Sequence, residues 1–165
     1  MLFARDVPGP LGMLLKQIED TIAQNKAADM RSFAAFPTAD RKGMEPKLLQ
    51  LAQQAKLSEA YSLVIPEDPA TVKPYKLNPE AELTVVLFKK WKVVGNFAFK
   101  AGQFKDADVA PIVAALVKIV PSKEELEQDA KEQREAEKKR KEAEAKRKAD
   151  EAKKKASEAK TAQKK

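Results

Sequence analysis

A sharp change of composition at Ser122 limits how much of this chain can fold around a core. Residues 122–165, 44 in all, carry 16 of the 32 Lys and Arg and 12 of the 25 Asp and Glu, and Leu126 is the only large apolar side chain among them. A segment so charged and so poor in apolar surface cannot offset the entropy of ordering by burial. The chain therefore reads as a folded domain over 1–121, within the usual domain size of about 100–200 residues, and a charged tail over 122–165.

Within 1–121 the apolar spacing alternates between two periods. Leu2-Phe3-Ala4 predicts a short buried strand, stopped by the turn residues Val7-Pro8-Gly9-Pro10. Leu11, Leu14, Leu15, Ile18 and Ile22 then recur at three- and four-residue intervals, the period of a helix. A mostly apolar strand within Met30–Phe36 closes at Pro37. A second helix is predicted between Met44 and Leu57, with Leu48, Leu49, Leu51, Ala52 and Ala55 as its stripe and Pro46 in its first turn. Tyr61–Ile65 reads as a third strand, followed by a long connection holding Pro66, Pro69, Pro74 and Pro79. Leu83–Phe88 and Val93–Phe99 predict a hairpin around Lys89-Lys90-Trp91-Lys92. Asp106 or Asp108 is expected to cap a last helix that turns Val109, Ile112, Val113, Leu116 and Val117 inward, with Pro111 in its first turn and Pro121 as its stop. Phe33, Phe36, Phe88, Phe97 and Phe99 fall on strands and are expected in the core. The order β-α-β-α-β, then β-β-α, predicts an α/β domain of three layers, a mixed central sheet flanked by helices on both faces.

The tail repeats Glu, Lys and Ala without apolar a and d positions, which argues against a coiled coil. Its residues are strong helix formers, and Glu135–Lys139, Glu137–Lys141, Glu142–Lys146 and Glu144–Lys148 have the favourable i,i+4 orientation, worth about 0.2–0.5 kcal/mol each. The tail is expected to be a fraying helix or disordered.

With no Cys and no His, the chain can form no disulfide, no thiol or imidazole catalytic group and no Cys/His metal site. Its five glycines match neither the P-loop nor the dinucleotide pattern, so no cofactor is expected. No apolar run reaches the roughly 18–20 residues that span a bilayer, and Met1-Leu2-Phe3-Ala4-Arg5-Asp6 lacks the pattern of a signal peptide. As written the chain reads as soluble and cytoplasmic. The first strand begins almost at Met1, which leaves open an upstream segment, with export as its consequence and N-terminal sequencing as its test.

The element order resembles the thioredoxin-like superfamily in its redoxin and peroxiredoxin-like layout. Leu2-Phe3-Ala4 followed by Val7-Pro8-Gly9-Pro10-Leu11-Gly12 is similar to the thioredoxin stretch in which an apolar strand runs into Trp-Cys-Gly-Pro-Cys-Lys. Gly9-Pro10 match the central Gly-Pro, while Pro8 and Leu11 stand where the family has its cysteines. Leu83 to Val94 resembles the family's Pro-Thr-x-x-x-Phe-Lys-x-Gly-x-Val strand, with Thr84, Phe88 and Lys89 matching and Leu83 at the position of the cis-proline. Leu2 replaces the family's buried acid, and the peroxiredoxin Pro-x-x-x-Thr-x-x-Cys signature is absent. The resemblance thus implies the fold without the activity, because dithiol exchange and peroxide reduction both require a thiolate. It also implies a protein partner, held as an extended peptide along Val7, Pro8, Gly9, Pro10 and Leu11 together with Glu82, Leu83 and Thr84. Charged residues at Leu11 and Leu83 are expected to weaken such binding and leave the fold intact.

Two further groups carry charge in a suggestive pattern. Lys89, Lys90, Trp91 and Lys92 set an aromatic among cations, an arrangement that can stack on a base and meet phosphate or simply cover the hairpin. In the tail, Lys138-Lys139-Arg140-Lys141, Lys146-Arg147-Lys148 and Lys153-Lys154-Lys155 are basic clusters suited to nucleic acid or an anionic membrane surface, although interleaved acids favour internal pairing. Asp6 is more plausible as a capping or dipole-pairing group than as a catalytic acid, and no catalytic or metal-binding residue is assigned. The sequence thus describes a redox-inactive protein-binding or scaffold module and not an enzyme, with polyanion binding through the tail as the alternative.

Overall fold

Strand β1 (Leu2–Ala4) is only three residues long, yet it lies between two partners. The computed structural model describes residues 1–58, 61–90 and 92–162, with side chains as far as residue 144. Its remaining strands are β2 (Phe33–Ala35), β3 (Ser62–Val64), β4 (Ala81–Lys89) and β5 (Lys92–Lys100). They form one mixed sheet in the order β3-β2-β1-β4-β5. β1 runs parallel to β2, with Leu2 opposite Ala34, and antiparallel to β4, with Ala4 opposite Leu83. The second and third strands are shorter than the apolar runs Met30–Phe36 and Tyr61–Ile65, because the sheet pairs only three residues of each.

The helices α1 (Leu11–Gln24), α2 (Arg41–Ala55) and α3 (Asp106–Ile119) correct the expectation of helices on both faces. Leu14 and Leu15 of α1, Met44 and Leu48 of α2 and Ile112 of α3 share one core with Leu2, Ala34, Leu83 and Val85 of the sheet. Each parallel step moves one place outward, from β1 to β2 to β3, so two right-handed crossovers return over the same side. The other face holds the smaller cluster of Phe3, Ala35 and Val86, against which Val72 and Leu77 pack. A 3-10 helix over Pro69–Tyr75 covers it, and the Tyr75 ring lies 4.7 Å from that of Phe3.

Helix boundaries also differ from expectation. α2 begins at Arg41 rather than Met44, because Asp40 caps it by accepting a bond from the Gly43 amide at 2.9 Å. Pro46 therefore sits in the second turn, as does Pro111 in α3. Neither Asp106 nor Asp108 is the N-cap of α3. Lys105 is, and its amide donates to the Asp108 carboxylate at 2.8 Å. Leu49 and Val117, assigned to inward stripes, are 62% and 54% exposed, and Phe88 opens to solvent near the hairpin end. α1 and α2 approach so closely at Gly12 that a Cβ there would meet Leu51 at 3.2 Å and Ala55 at 3.3 Å.

Met1–Val120 and Pro121–Lys165 are separate compact units. The second is a helix, α4 (Lys123–Ala162), started by Ser122, whose hydroxyl accepts from the Glu125 amide at 3.2 Å while its own amide donates to Glu125 at 2.9 Å. Glu137 and Lys141 pair at 2.7 Å. Glu135 and Lys139 do not, and the other expected pairs involve side chains outside those described. No helix among the described residues is long and apolar enough to cross a membrane.

The two sides of these helices are distinguishable by substitution. Leu14→Ala, at a fully buried site, is expected to cost about 2–5 kcal/mol in urea unfolding, whereas Val117→Ala should stay within about 0.5 kcal/mol.

Candidate functional site

The parallel strands end together where the chain turns into α1, and two of the predicted stretches meet there. The Arg5 amide donates to the Glu82 carbonyl at 2.8 Å and its Nε to the Ala81 carbonyl at 3.0 Å, which ties the end of β1 to the start of β4. The turn after Asp6 closes on itself, with the Leu11 amide on the Pro8 carbonyl at 2.9 Å. Pro10 is the N-cap of α1 and offers no side-chain bond. Asp6 consequently does not cap that helix: its carboxylate takes the Val7 amide at 2.9 Å and the Lys47 ammonium at 2.7 Å.

The hydrogen bond from Lys47, joined by that of the Val7 amide, holds Asp6 below the usual carboxylate range. Such a carboxylate is ionised at neutral pH and poorly suited to donate a proton. The pair is half exposed on both sides, so its contribution to stability is small. Lys47 is invisible to sequence reasoning here, since only the return of α2 brings it to Asp6 from 41 positions away.

The predicted partner face is only partly a surface. Leu11 and Leu83 are 0% exposed and belong to the core beneath the helices. A charge at either position would be buried without a partner and would destroy the fold. The expectation that both can be substituted without structural cost is therefore corrected. Thr84 is 6% exposed and, by strand alternation, lies on the other face of the sheet from Leu83. What remains accessible is the exposed Gly9, with the half-buried Val7, Pro8, Pro10 and Glu82.

The charged candidates lie on other elements. Lys89 closes β4, Lys90 follows at φ +50°, and Lys92 opens β5. Trp91 lies outside the described residues, so its expected role between the lysines is not described. Lys138, Lys139, Arg140 and Lys141 are all exposed on α4. At 100° per residue they wind about 300° around the axis rather than lining one stripe.

A polar cluster that sequence reasoning missed lies at the other end of the sheet, beside a cavity of about 450 Å3. Glu19 takes the Ser58 amide at 2.8 Å, and the hydroxyls of Ser32 and Tyr61 share a hydrogen bond at 3.0 Å. Burial raises the Glu19 carboxyl, but the bonds from Ser58 and Lys16 outweigh it and leave the group below its ordinary value. Burial pushes the Tyr61 phenol up to about 12, against the opposing bond from Ser32. Ser32 is 29 positions from Tyr61 and Ser58 is 39 from Glu19, so neither contact carries a local signal. Among the described residues no group of three or more Asp, Glu, His or Cys converges to hold a metal. Comparison with family models, curated proteins and solved structures returned no match.

The raised Tyr61 value has a signed consequence. The unfolded phenol ionises near 10 and the folded one near 12, so its stabilising contribution is complete below about pH 10 and is lost as pH rises toward about 12. In urea titrations between about pH 9 and about pH 12, the stability advantage of the parent over Tyr61→Phe should shrink steadily.

Proposed function

We propose that this chain is a redox-inactive, thioredoxin-like binding module that holds a protein partner as an extended peptide at the Val7–Pro10 turn beside Glu82. The observation that carries the reading is the placement of that turn: closed by its own backbone bond and tied to the start of β4 through Arg5, with Gly9 exposed at its tip. The thioredoxin-like assignment is supported by the chain's β-α-β start, its antiparallel closing hairpin and its final helix over the same core as α1. Pre-organisation of the turn favours peptide binding, because little further ordering is required of it. The turn carries no thiol, and the Asp6 carboxylate just before it is engaged by Lys47, so binding rather than chemistry is the role its groups suit.

Gly9→Glu tests the reading without disturbing the fold, since an added Cβ there meets nothing within 4 Å. Peptides selected from a displayed library on the full chain should lose about tenfold or more in affinity on Gly9→Glu, about 1.4 kcal/mol. Selected peptides that bind the variant equally, or a library that yields none, would overturn it.

The exposed cations of α4 support a second reading, a polyanion tether. If it holds, replacing Lys138, Lys139, Arg140 and Lys141 together by Gln should reduce the slope of log affinity against log salt by up to about 3.6 on duplex DNA. An unchanged slope would exclude that cluster.

A further inference from the structure

The sheet face left uncovered by α1, α2 and α3 is roofed by the Pro69–Tyr75 helix and the residues just after it, and a cavity of about 340 Å3 lies beneath this roof. Its size falls at the lower end of small-molecule sites. Phe3 on the sheet and Val72 and Leu77 on the roof give it an apolar wall. Arg5, Lys73 and Lys76 also line it, and among the described residues no acidic side chain does. Arg5 spends its Nε on the Ala81 carbonyl and leaves both Nη groups without a partner among the described residues.

Thr84 supplies a second and independent observation. It is 6% exposed and lines the cavity, and its hydroxyl is not sealed from solvent: no buried side-chain polar atom among the described residues lacks a partner. Leu83 and Val85 on either side face the helical core, so strand alternation turns Thr84 toward the cavity. An accessible hydroxyl in a cavity lined by three cations and an apolar wall is matched by a ligand that brings an anionic acceptor and apolar surface together.

We propose that this cavity binds a small molecule with an anionic head group, a carboxylate or a phosphate, on an apolar body. The head meets Arg5, Lys73 and Lys76 and accepts from the Thr84 hydroxyl, while the body lies against Phe3, Val72 and Leu77. At roughly 30 Å3 per heavy atom, as in liquid water, the space holds about eleven such atoms. Octanoate, with ten heavy atoms, and octyl phosphate, with thirteen, bracket that size. Charge alone is an incomplete match because the wall is apolar, and an apolar chain alone leaves the cations and the hydroxyl unanswered. The site is distinct from the peptide turn, so its test is independent of the proposal made for that turn.

The experiment is calorimetric titration of the full chain with octanoate, octyl phosphate, octanol and inorganic phosphate, with amide chemical shifts followed in parallel. At least one octyl anion should bind about tenfold or more tightly than both octanol and inorganic phosphate, with shifts concentrated at Val72, Lys73 and Thr84. Whichever octyl anion binds more tightly identifies the head group. Lys73→Gln combined with Lys76→Asn, and separately Thr84→Val, should each weaken that binding; Asn is chosen because Lys76 has φ near +50°, which Asn tolerates. Circular dichroism checks that each variant is folded. No binding by either anion, or equal binding by the parent and both folded variants, would overturn the proposal.

Discussion

The burial of β1 is the constraint on which the rest of the domain depends. Leu2 and Ala4 point into the helical core and Phe3 into the smaller cluster on the opposite face, and all three are almost fully buried. Full burial of a side chain such as Leu or Phe contributes about 1.5–3 kcal/mol, so three residues anchor both sides of the sheet at once. Because β1 pairs in parallel with β2 and antiparallel with β4, it also joins the two halves of the sheet. The same pairing carries Arg5 to Glu82 and sets the Val7–Pro10 turn at the sheet's end. Position in the middle of the sheet, not length, gives this strand its importance.

Strand order then decides what each face can hold. Three helices share the face over which the chain returns after each parallel step, and they bury Leu14, Leu48 and Ile112 in one core. The opposite face is covered by the proline-rich segment between β3 and β4. Its prolines limit it to a short 3-10 helix, too small to seal the sheet beneath it. A cavity remains where a longer helix would have packed. One topological fact therefore accounts both for the solid core and for the polar, cationic space on the other side.

Electrostatics shape local features more than overall stability. The pairs Asp6–Lys47, Glu80–Lys100 and Glu137–Lys141 all lie at the surface, where such pairs contribute little. More consequential are the charges that answer backbone groups: Asp40 on the Gly43 amide, Asp108 on the Lys105 amide and Glu19 on the Ser58 amide. The first two set where α2 and α3 begin. The third joins α1 to the segment before β3.

Element order, the mixed sheet, the five strands and the break near Ser122 were legible in the sequence, because alternating apolar period, prolines and composition are local signals. The helix starts were misplaced for a related reason. Pro46 and Pro111 look like first-turn residues until the caps at Asp40 and Lys105 are known, and a cap is defined by a bond rather than by a residue type. The exposed positions of Leu49 and Val117 were equally hidden, since an apolar stripe wider than its neighbouring surface has no mark in sequence. Sequence alone determined that no thiol chemistry is possible and that the last 44 residues build no core, because both follow from composition. Only tertiary structure decided that Leu11 and Leu83 are core while Thr84 faces a cavity, that Lys47 meets Asp6 and that the helices share one face. Those outcomes depend on which strands become neighbours, and that choice is made by the burial of the whole chain at once.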